Sequence, residues 1–261
     1  MTPLFSRAGQ ARLDQIVQPG LLCVFDFDGT LSPIVTHPEQ AHLPSGILQR
    51  LIELSSHVPV AIITGRSLAD IRTRLQFEPD FLVGNHGLEG MPDGAPQAQL
   101  YEQTCRVWKA LLSTTLEDRT CFDPNIQIED KRFSLSVHYR LVRDRAQTEL
   151  RLLELFAGLE PPARVVAGKC VFNLLPEGAP NKGMALEQLM LVSGARSAIY
   201  IGDDVTDEDV FRLRRQDLLS VRIERAPDSA ADFFLHHRSE VVQMLDELIR
   251  RLRKQQIKNA V

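Results

Sequence analysis

Three short apolar runs of the sequence each end in acidic, hydroxyl or glycine residues. The run LLCVF ends at Asp26, PVAII ends at Thr64, and SAIYI ends at Gly202, followed by Asp203 and Asp204. Runs of about five residues rich in Val and Ile are typical of strands buried on both faces of a parallel sheet, and ligands bind at the carboxyl ends of such strands. We therefore expect several carboxylates, a threonine and glycines to share one sheet edge, where their charge requires a cation.

Each of these motifs also has a purely structural interpretation. The segment 26–30 (DFDGT) alone fits a strand-to-turn transition equally well, because Asp and Gly favour turns. Thr64 with its neighbours fits a turn before a helix, Lys182 fits a solvated lysine, and Asp204 or Asp207 fits a helix cap. Because three such strand ends occur in one chain, the combination favours chemistry over turn geometry.

Composition narrows the class of protein. The chain has 261 residues, of which 44% are hydrophobic and 25% are charged, as in ordinary globular proteins. A formal net charge of −4 argues against a dedicated nucleic-acid binder. The four cysteines are scattered without a CxxC pair, so we expect them to be reduced and not to bind metal. No signal peptide or membrane-length apolar stretch is present, which predicts a soluble, cytoplasmic protein with no membrane and no implied protein partner.

The order of predicted elements divides the chain into three parts. Strands over 21–28, 59–66 and 80–87 alternate with helices over 45–57 and 67–75, as βαβ units of a parallel sheet do. A helix, a hairpin with strands over 126–131 and 133–140, a second helix and a second hairpin follow, which indicates a small α+β domain with an antiparallel sheet. The βαβ order then resumes at Asn181, and we take LLSVRIE to be the last strand. We predict core segments 1–87 and 177–261 around an inserted domain, 88–176.

The strand-end residues are suited to phosphoryl transfer through a covalent intermediate. Asp26 is placed to attack phosphorus, and Asp28 to donate a proton to the leaving alkoxide and then to accept one from water. Gly29 and Gly65 allow backbone amides to approach phosphoryl oxygens, and Thr64 offers a hydroxyl.

Two sources of positive charge are predicted for such a site, namely Lys182 and a bound Mg²⁺ ion. Lys182 would stabilise the transition state. Asp203, backed by Asp204 and Asp207, would complete an oxygen site for Mg²⁺ together with the first aspartates. Whether Asp207 binds metal or caps a helix is left open by the sequence.

These motifs resemble the haloacid dehalogenase superfamily of phosphotransferases. The resemblance implies a Rossmann-like core with a parallel sheet and an inserted α+β cap domain. It also implies that Asp26 is the nucleophile, that Asp28 is the acid/base, and that Mg²⁺ is bound by the Asp26 side chain, the Asp28 carbonyl and Asp203.

A narrower resemblance covers nearly the whole chain. The strings FDFDGTLSPIV, GNHG, EDKRFSLSVHYR, GKCVFNLLP followed by NKG, and GDDVTDE are similar to those of the trehalose-6-phosphate phosphatase family. The resemblance implies hydrolysis of trehalose 6-phosphate, a small-molecule sugar phosphate. The chain departs from the family at Asn173, where many members have glutamate.

Polar residues of the predicted hairpins and of the segment before the insertion are candidate sugar contacts. Side chains two apart on a strand share a face and could hydrogen-bond sugar hydroxyls; a solvated sheet face is the alternative. His86, just before the insertion, is either a ligand contact or a turn residue. The candidates are His86, Glu129, Lys131, Ser136, His138, Arg140, Lys169 and Asn173.

Two other functions remain compatible with the residues. One is a related capped phosphatase or mutase for another sugar phosphate. The other is a non-catalytic regulator that accepts a phosphoryl group, although a regulator needs neither a second aspartate nor a large insertion.

Overall fold

The computed structural model describes residues 1–35, 37–91 and 97–259. The chain forms two compact units: Met1–Pro92 with Asn181–Val261, here the core unit, and Asp93–Pro180, here the inserted unit. The strands are β1 Thr2–Pro3, β2 Leu21–Phe25, β3 Val60–Ile63, β4 Phe81–Val83, β5 Gln127–Asp130, β6 Leu135–His138, β7 Ala163–Gly168, β8 Val171–Pro176, β9 Ser197–Gly202, β10 Leu218–Ile223 and β11 Phe233–Leu235. The helices are α1 Arg7–Ile16, α2 Ser45–Ser55, α3 Leu68–Leu75, α4 Ala98–Leu116, α5 Arg145–Ala157, α6 Lys182–Ser193, α7 Glu208–Phe211 and α8 Glu240–Asn259.

The core unit is built on a seven-stranded parallel sheet in the order β1-β11-β10-β9-β2-β3-β4. Alternate residues of β2 enter two separate apolar clusters. Leu21, Cys23 and Phe25 pack in one cluster, and Leu22 and Val24 pack in the other. The sheet is therefore buried on both faces, as the uninterrupted apolar runs predict.

Local signals in the sequence set several helix starts. Ser67 accepts a hydrogen bond from the amide of Asp70 at the start of α3. Asn181 accepts one from the amide of Met184 and so places Lys182 in the first turn of α6. Such caps satisfy amides that have no partner within the helix.

The inserted unit contains an antiparallel sheet in the order β5-β6-β8-β7. Leu135, Val137, Phe172 and Leu174 from one face form an apolar cluster with Trp108 of α4. Because neighbouring residues alternate between faces, the residues between these positions form the other face. That second face carries the polar side chains examined below.

Two predictions about strands need correction. LLSVRIE is not the last strand, because β11 follows it and pairs with both β10 and β1. Several strands are also shorter than predicted, so that Lys131 and Arg140 lie beyond the ends of β5 and β6. Within the described ranges, no helix combines the length and apolar character needed to cross a membrane.

Candidate active site at the carboxyl edge of the parallel sheet

The predicted strand-end residues meet because β9, β2 and β3 are adjacent in the sheet. The backbone pairing of β2 with β9 continues one residue beyond β2, where the Asp26 amide donates to the Ile201 carbonyl over 2.9 Å. This places Asp26 beside the segment that carries Asp203. The chain folds back sharply after Asp28, where the Ser32 amide donates to the Phe27 carbonyl over 2.8 Å.

Lys182 links two carboxylates in the interior of this edge. Its Nζ donates to Asp26 Oδ1 and to Asp207 Oδ1, each over 2.7 Å, and the residue is 2% exposed. Burial by itself would lower the pKa of Lys182, but Asp207 and Asp26 raise it above its ordinary value. The lysine is therefore a permanent cation next to Asp26, and the solvated-lysine interpretation does not apply.

Asp207 caps the segment that follows β9. Its Oδ2 accepts hydrogen bonds from the amides of Asp203 and Asp204 over 2.9 and 2.8 Å. Its Oδ1 accepts from Lys182 and from the Tyr200 hydroxyl, the latter over 2.6 Å. Burial raises the pKa of Tyr200, which therefore keeps its proton and donates. With four donors on one carboxylate, the capping interpretation of Asp207 accounts for its geometry.

Asp203 lies against the turn that follows Asp28. Thr30 Oγ1 donates to Asp203 Oδ1 over 3.5 Å. Gly29 has φ +82°, and a Cβ at this position would overlap the Asp203 carboxylate. The Gly29 amide itself donates to the Ser32 carbonyl over 2.8 Å. Glycine is required here for close approach to Asp203.

Three carboxylates and one ammonium leave this edge with excess negative charge. One oxygen each from Asp26, Asp203 and Asp207 lies within 4.8 Å of the others. Burial raises the pKa of Asp26 well above its usual range, and Asp207 and Asp203 raise it further, while Lys182 opposes them. A set of carboxylate oxygens is the donor chemistry that hard divalent cations prefer. The residues therefore fit a divalent metal ion.

Asp28 is held by an arginine whose role was not predicted. Arg66 donates from Nε to Asp28 Oδ2 over 2.6 Å and from Nη2 to Asp28 Oδ1 over 2.7 Å. The Arg66 side chain is 11% exposed and that of Asp28 is 42% exposed. Asp28 is thus accessible to a ligand yet fixed in orientation by a partner that is mostly, though not fully, buried.

Thr64, Gly65 and His86 form the end of β3 and its neighbouring loop. The buried Thr64 accepts a hydrogen bond from the Arg66 amide at its Oγ1 over 3.2 Å. The His86 amide donates to the Thr64 carbonyl over 2.9 Å, and a Cβ at Gly65 would overlap the His86 ring. Asn85 and His86 both have left-handed backbone conformations, with φ 48° and 57°. His86 is thus buried against Thr64 and Gly65 in a strained turn. Strained backbone conformations of this kind are often found at functional sites.

The polar face of the inserted sheet brings together part of the predicted sugar contacts. His138 Nε2 lies 2.9 Å from Glu129 Oε2, and Lys131 Nζ lies 3.9 Å from the same oxygen. Ser136, which pairs with both Glu129 and Asn173 across the sheet, donates to Asn173 Oδ1 over 2.6 Å. These five residues line the polar face of the sheet, here called the polar sheet face, in which Ser136 is itself fully buried.

Arg140 and Lys169 form a separate pair at the loop end of the same sheet. Arg140 Nη2 donates to the Lys169 carbonyl over 3.1 Å. Lys169 lies in the turn between β7 and β8, and its side chain is exposed. Within the inserted unit, the structure thus divides the predicted sugar contacts between the polar sheet face and this pair, while His86 lies in the core unit.

Three residues around the site were missed by sequence reasoning: Thr30, Arg66 and Tyr200. Arg66 follows Thr64 and Gly65 in the second motif, but only the strand order reveals that it reaches Asp28. Tyr200 offered a signal, because a tyrosine inside an otherwise apolar buried strand needs a partner for its hydroxyl. That partner is Asp207.

Solved structures with this architecture cover nearly the whole chain. A protein described as related to trehalose-6-phosphate phosphatase aligns with a TM-score of 0.71 and 26% identity, covering 88% of this chain and 97% of that one. The C-terminal domain of a C. albicans trehalose-6-phosphate phosphatase gives a TM-score of 0.72 at 21% identity, covering 95% of this chain and 98% of that one. The predicted class is confirmed: a haloacid-dehalogenase-type α/β core with a parallel sheet, and a smaller inserted domain with an antiparallel sheet.

Sequence comparison then gives the particular family. The family model described as trehalose-phosphatase matches residues 24–239. A trehalose-phosphate phosphatase of Mycobacterium leprae is 34% identical over 247 residues, which cover 87% of this chain and 57% of that protein. Trehalose-phosphate phosphatase B of Arabidopsis thaliana is 29% identical over 252 residues, covering 90% and 67%. The chain belongs to the trehalose-phosphatase family.

Several relatives are much longer than this chain. A Mycobacterium tuberculosis protein described as an uncharacterized glycosyl hydrolase is 36% identical over 235 residues, which cover 85% of this chain but 18% of that protein. The chain thus spans less than a fifth of that relative and about 57% of the M. leprae protein. Family membership therefore applies to the matched region and not to the activities of those whole proteins.

Proposed function

We propose that this chain is a Mg²⁺-dependent phosphatase that hydrolyses trehalose 6-phosphate to trehalose and phosphate through an aspartyl-phosphate. The observation that carries the proposal is the buried contact between Lys182 and Asp26 at 2.7 Å, with Asp203 beside it at the carboxyl edge of the sheet. Membership of the trehalose-phosphatase family supports the substrate.

The first half-reaction transfers the phosphoryl group to the enzyme. An oxygen of Asp26 forms a bond to phosphorus while the bond from phosphorus to the sugar oxygen breaks. Asp28 gives its proton to that oxygen, so trehalose leaves as a neutral alcohol. Lys182 keeps the attacking Asp26 oxygen in place and offsets charge that develops during transfer.

The second half-reaction releases phosphate. A water oxygen bonds to phosphorus while the bond to Asp26 breaks, and Asp28 takes the proton from that water. The enzyme thereby returns to its starting state. We propose that the Thr64 hydroxyl and the Gly65 amide hydrogen-bond the phosphoryl oxygens in both half-reactions.

A magnesium ion would be held by the side chains of Asp26 and Asp203 and by the Asp28 backbone carbonyl. When bound, it would neutralise the phosphoryl oxygens and the excess charge of the carboxylates. Because four donors already occupy the Asp207 carboxylate, we assign Asp207 to orienting Lys182 and the segment after β9.

We assign sugar recognition to the inserted unit and propose that it acts as a cap domain, which consists of residues 88–176. The polar sheet face and the pair Arg140 and Lys169 offer donors and acceptors to sugar hydroxyls, as does His86 in the core unit. Asn173, held by Ser136, is the weakest candidate, since many family members have glutamate there. A cytoplasmic location is also proposed, supported by the free cysteines.

The test is phosphate release from a panel of sugar phosphates, with and without Mg²⁺ and with excess chelator. We expect turnover of trehalose 6-phosphate only with metal, and Asp26→Asn should lose at least about 100-fold, or about 3 kcal/mol of transition-state stabilisation. Faster hydrolysis of another sugar phosphate would show that the proposed substrate is wrong, but it would support the proposed phosphatase chemistry. No hydrolysis of any phosphate ester, together with stable phosphorylation of Asp26, would favour a regulator.

A further inference from the structure

The guanidinium of Arg66 joins Asp28 to a second carboxylate behind it. Two of its nitrogens contact the two oxygens of Asp28, and its third nitrogen, Nη1, donates to Asp70 Oδ2 over 2.6 Å. A bidentate pair of this kind fixes the plane of the carboxylate as well as its distance.

The far side of Arg66 is itself anchored. Asp70 is also bound by Arg74, which in turn donates to the carbonyl of Ala41 over 3.2 Å. The guanidinium carbon of Arg66 lies 5.7 Å from the centre of the Phe27 ring. Arg66 is therefore held by its surroundings, whereas the Asp28 side chain is 42% exposed.

We propose that Arg66 is a positioning residue that holds the Asp28 carboxyl group in the orientation required for proton transfer from its protonated form to the leaving oxygen. This inference rests on the proposed phosphatase function. Proton transfer requires donor and acceptor atoms within about 2.6–3.2 Å, and a half-exposed carboxylate that rotates freely satisfies this only part of the time.

The need for a proton from Asp28 depends on the leaving group. A sugar alkoxide is a poor leaving group and needs the proton, whereas the phenolate of p-nitrophenyl phosphate leaves without one. Loss of orientation at Asp28 should therefore slow sugar phosphate hydrolysis and spare aryl phosphate hydrolysis. If Arg66 instead served the phosphoryl group or the fold, both substrates would be affected alike.

The experiment compares kcat/KM for trehalose 6-phosphate and p-nitrophenyl phosphate in the wild type, Arg66→Ala, Arg66→Lys and Asp28→Asn. We expect Arg66→Ala to lose about 100-fold or more on the sugar phosphate, the usual size of a general-acid contribution, and less than about 5-fold on the aryl phosphate. Arg66→Lys should lose a similar factor on the sugar phosphate, because an ammonium cannot bind both oxygens in one plane. Added guanidinium ion should partly restore Arg66→Ala.

Two further variants complete the design. Arg74→Ala, which removes a second partner of Asp70 without touching Asp28, should show no difference between the substrates. Adding Arg66→Ala to Asp28→Asn should cost nothing further on the sugar phosphate, since the group to be oriented is already disabled. Equal losses on both substrates, or additive losses in the double variant, would overturn the positioning role. A wild type inactive on both substrates would instead overturn the proposed function, and the positioning role with it.

Discussion

Replacing Lys182 with methionine removes the ammonium group but keeps a side chain of similar length, so the change isolates the charge. Lys182 Nζ lies 2.7 Å from one oxygen of Asp26 and one of Asp207. At an effective dielectric constant of about 20, each attraction amounts to roughly 6 kcal/mol before desolvation is subtracted. Because desolvation offsets most of this, we expect the free energy of unfolding of the core unit to fall by about 3–5 kcal/mol.

The assay must report on the core unit specifically. Trp108 is the only tryptophan of the chain and lies buried in the inserted unit, so its emission does not follow the environment of Lys182. Hydrogen exchange of peptides from β9 and α6 during urea unfolding follows that environment directly. Trp108 emission in the same samples serves as an internal control, and its transition should move much less.

A double variant tests the cause of the loss. If the loss arises from an uncompensated buried carboxylate, adding Asp26→Asn to Lys182→Met should restore about 1–3 kcal/mol, the usual coupling between contacting charges. The reasoning is refuted if Lys182→Met costs less than about 1 kcal/mol. It is also refuted if the two changes are simply additive.

Three further results are expected. Gly29→Ala forces a Cβ into the Asp203 carboxylate and should lower phosphatase activity by about 100-fold. In a metal titration, it should also raise the Mg²⁺ concentration that gives half-maximal activity. An unchanged titration would contradict the contact between Gly29 and Asp203. Burial alone would raise the pKa of Asp70, but hydrogen bonds from Arg74 and Arg66 lower it in the folded protein. The ion pairs of Asp70 therefore stabilise the fold above its unfolded pKa of about 3.9. This stabilisation is lost as the pH falls through the lower pKa of the folded protein. Asp70→Asn should therefore reduce the drop in melting temperature between about pH 5 and about pH 3, and an unchanged drop would contradict this assignment. Glu129→Gln should cut kcat/KM for trehalose 6-phosphate by about 10- to 100-fold but that for an aryl phosphate far less, and equal losses would assign Glu129 to the fold.

The sequence was sufficient to predict the core sheet and its reactive edge. Uninterrupted apolar runs identify β2, β3 and β9 as strands buried on both faces, and the residue that follows each run must then emerge at the carboxyl edge. The N-cap at Ser67 was equally predictable, because a serine just before a helical pattern commonly accepts a hydrogen bond from a backbone amide of the first turn.

What escaped prediction depends on contacts between distant parts of the chain. Arg66 reaches Asp28 across 38 positions of sequence, and no local signal distinguishes it from a solvated arginine. β1 and β11 are only two and three residues long, too short for a periodic pattern. Lys131 and Arg140 were assigned to strands because alternation continued past the point where the pairing ends.

The central claim is that Asp26 carries the phosphoryl group during turnover. Its most direct test is a rapid acid quench of the enzyme with trehalose 6-phosphate carrying a labelled phosphoryl group, followed by mass spectrometry of the peptides. We expect label on the carboxylate of Asp26 within the first turnover, and none in Asp26→Asn. Release of labelled phosphate from the wild type with no label on Asp26, or with label on another residue, would contradict it.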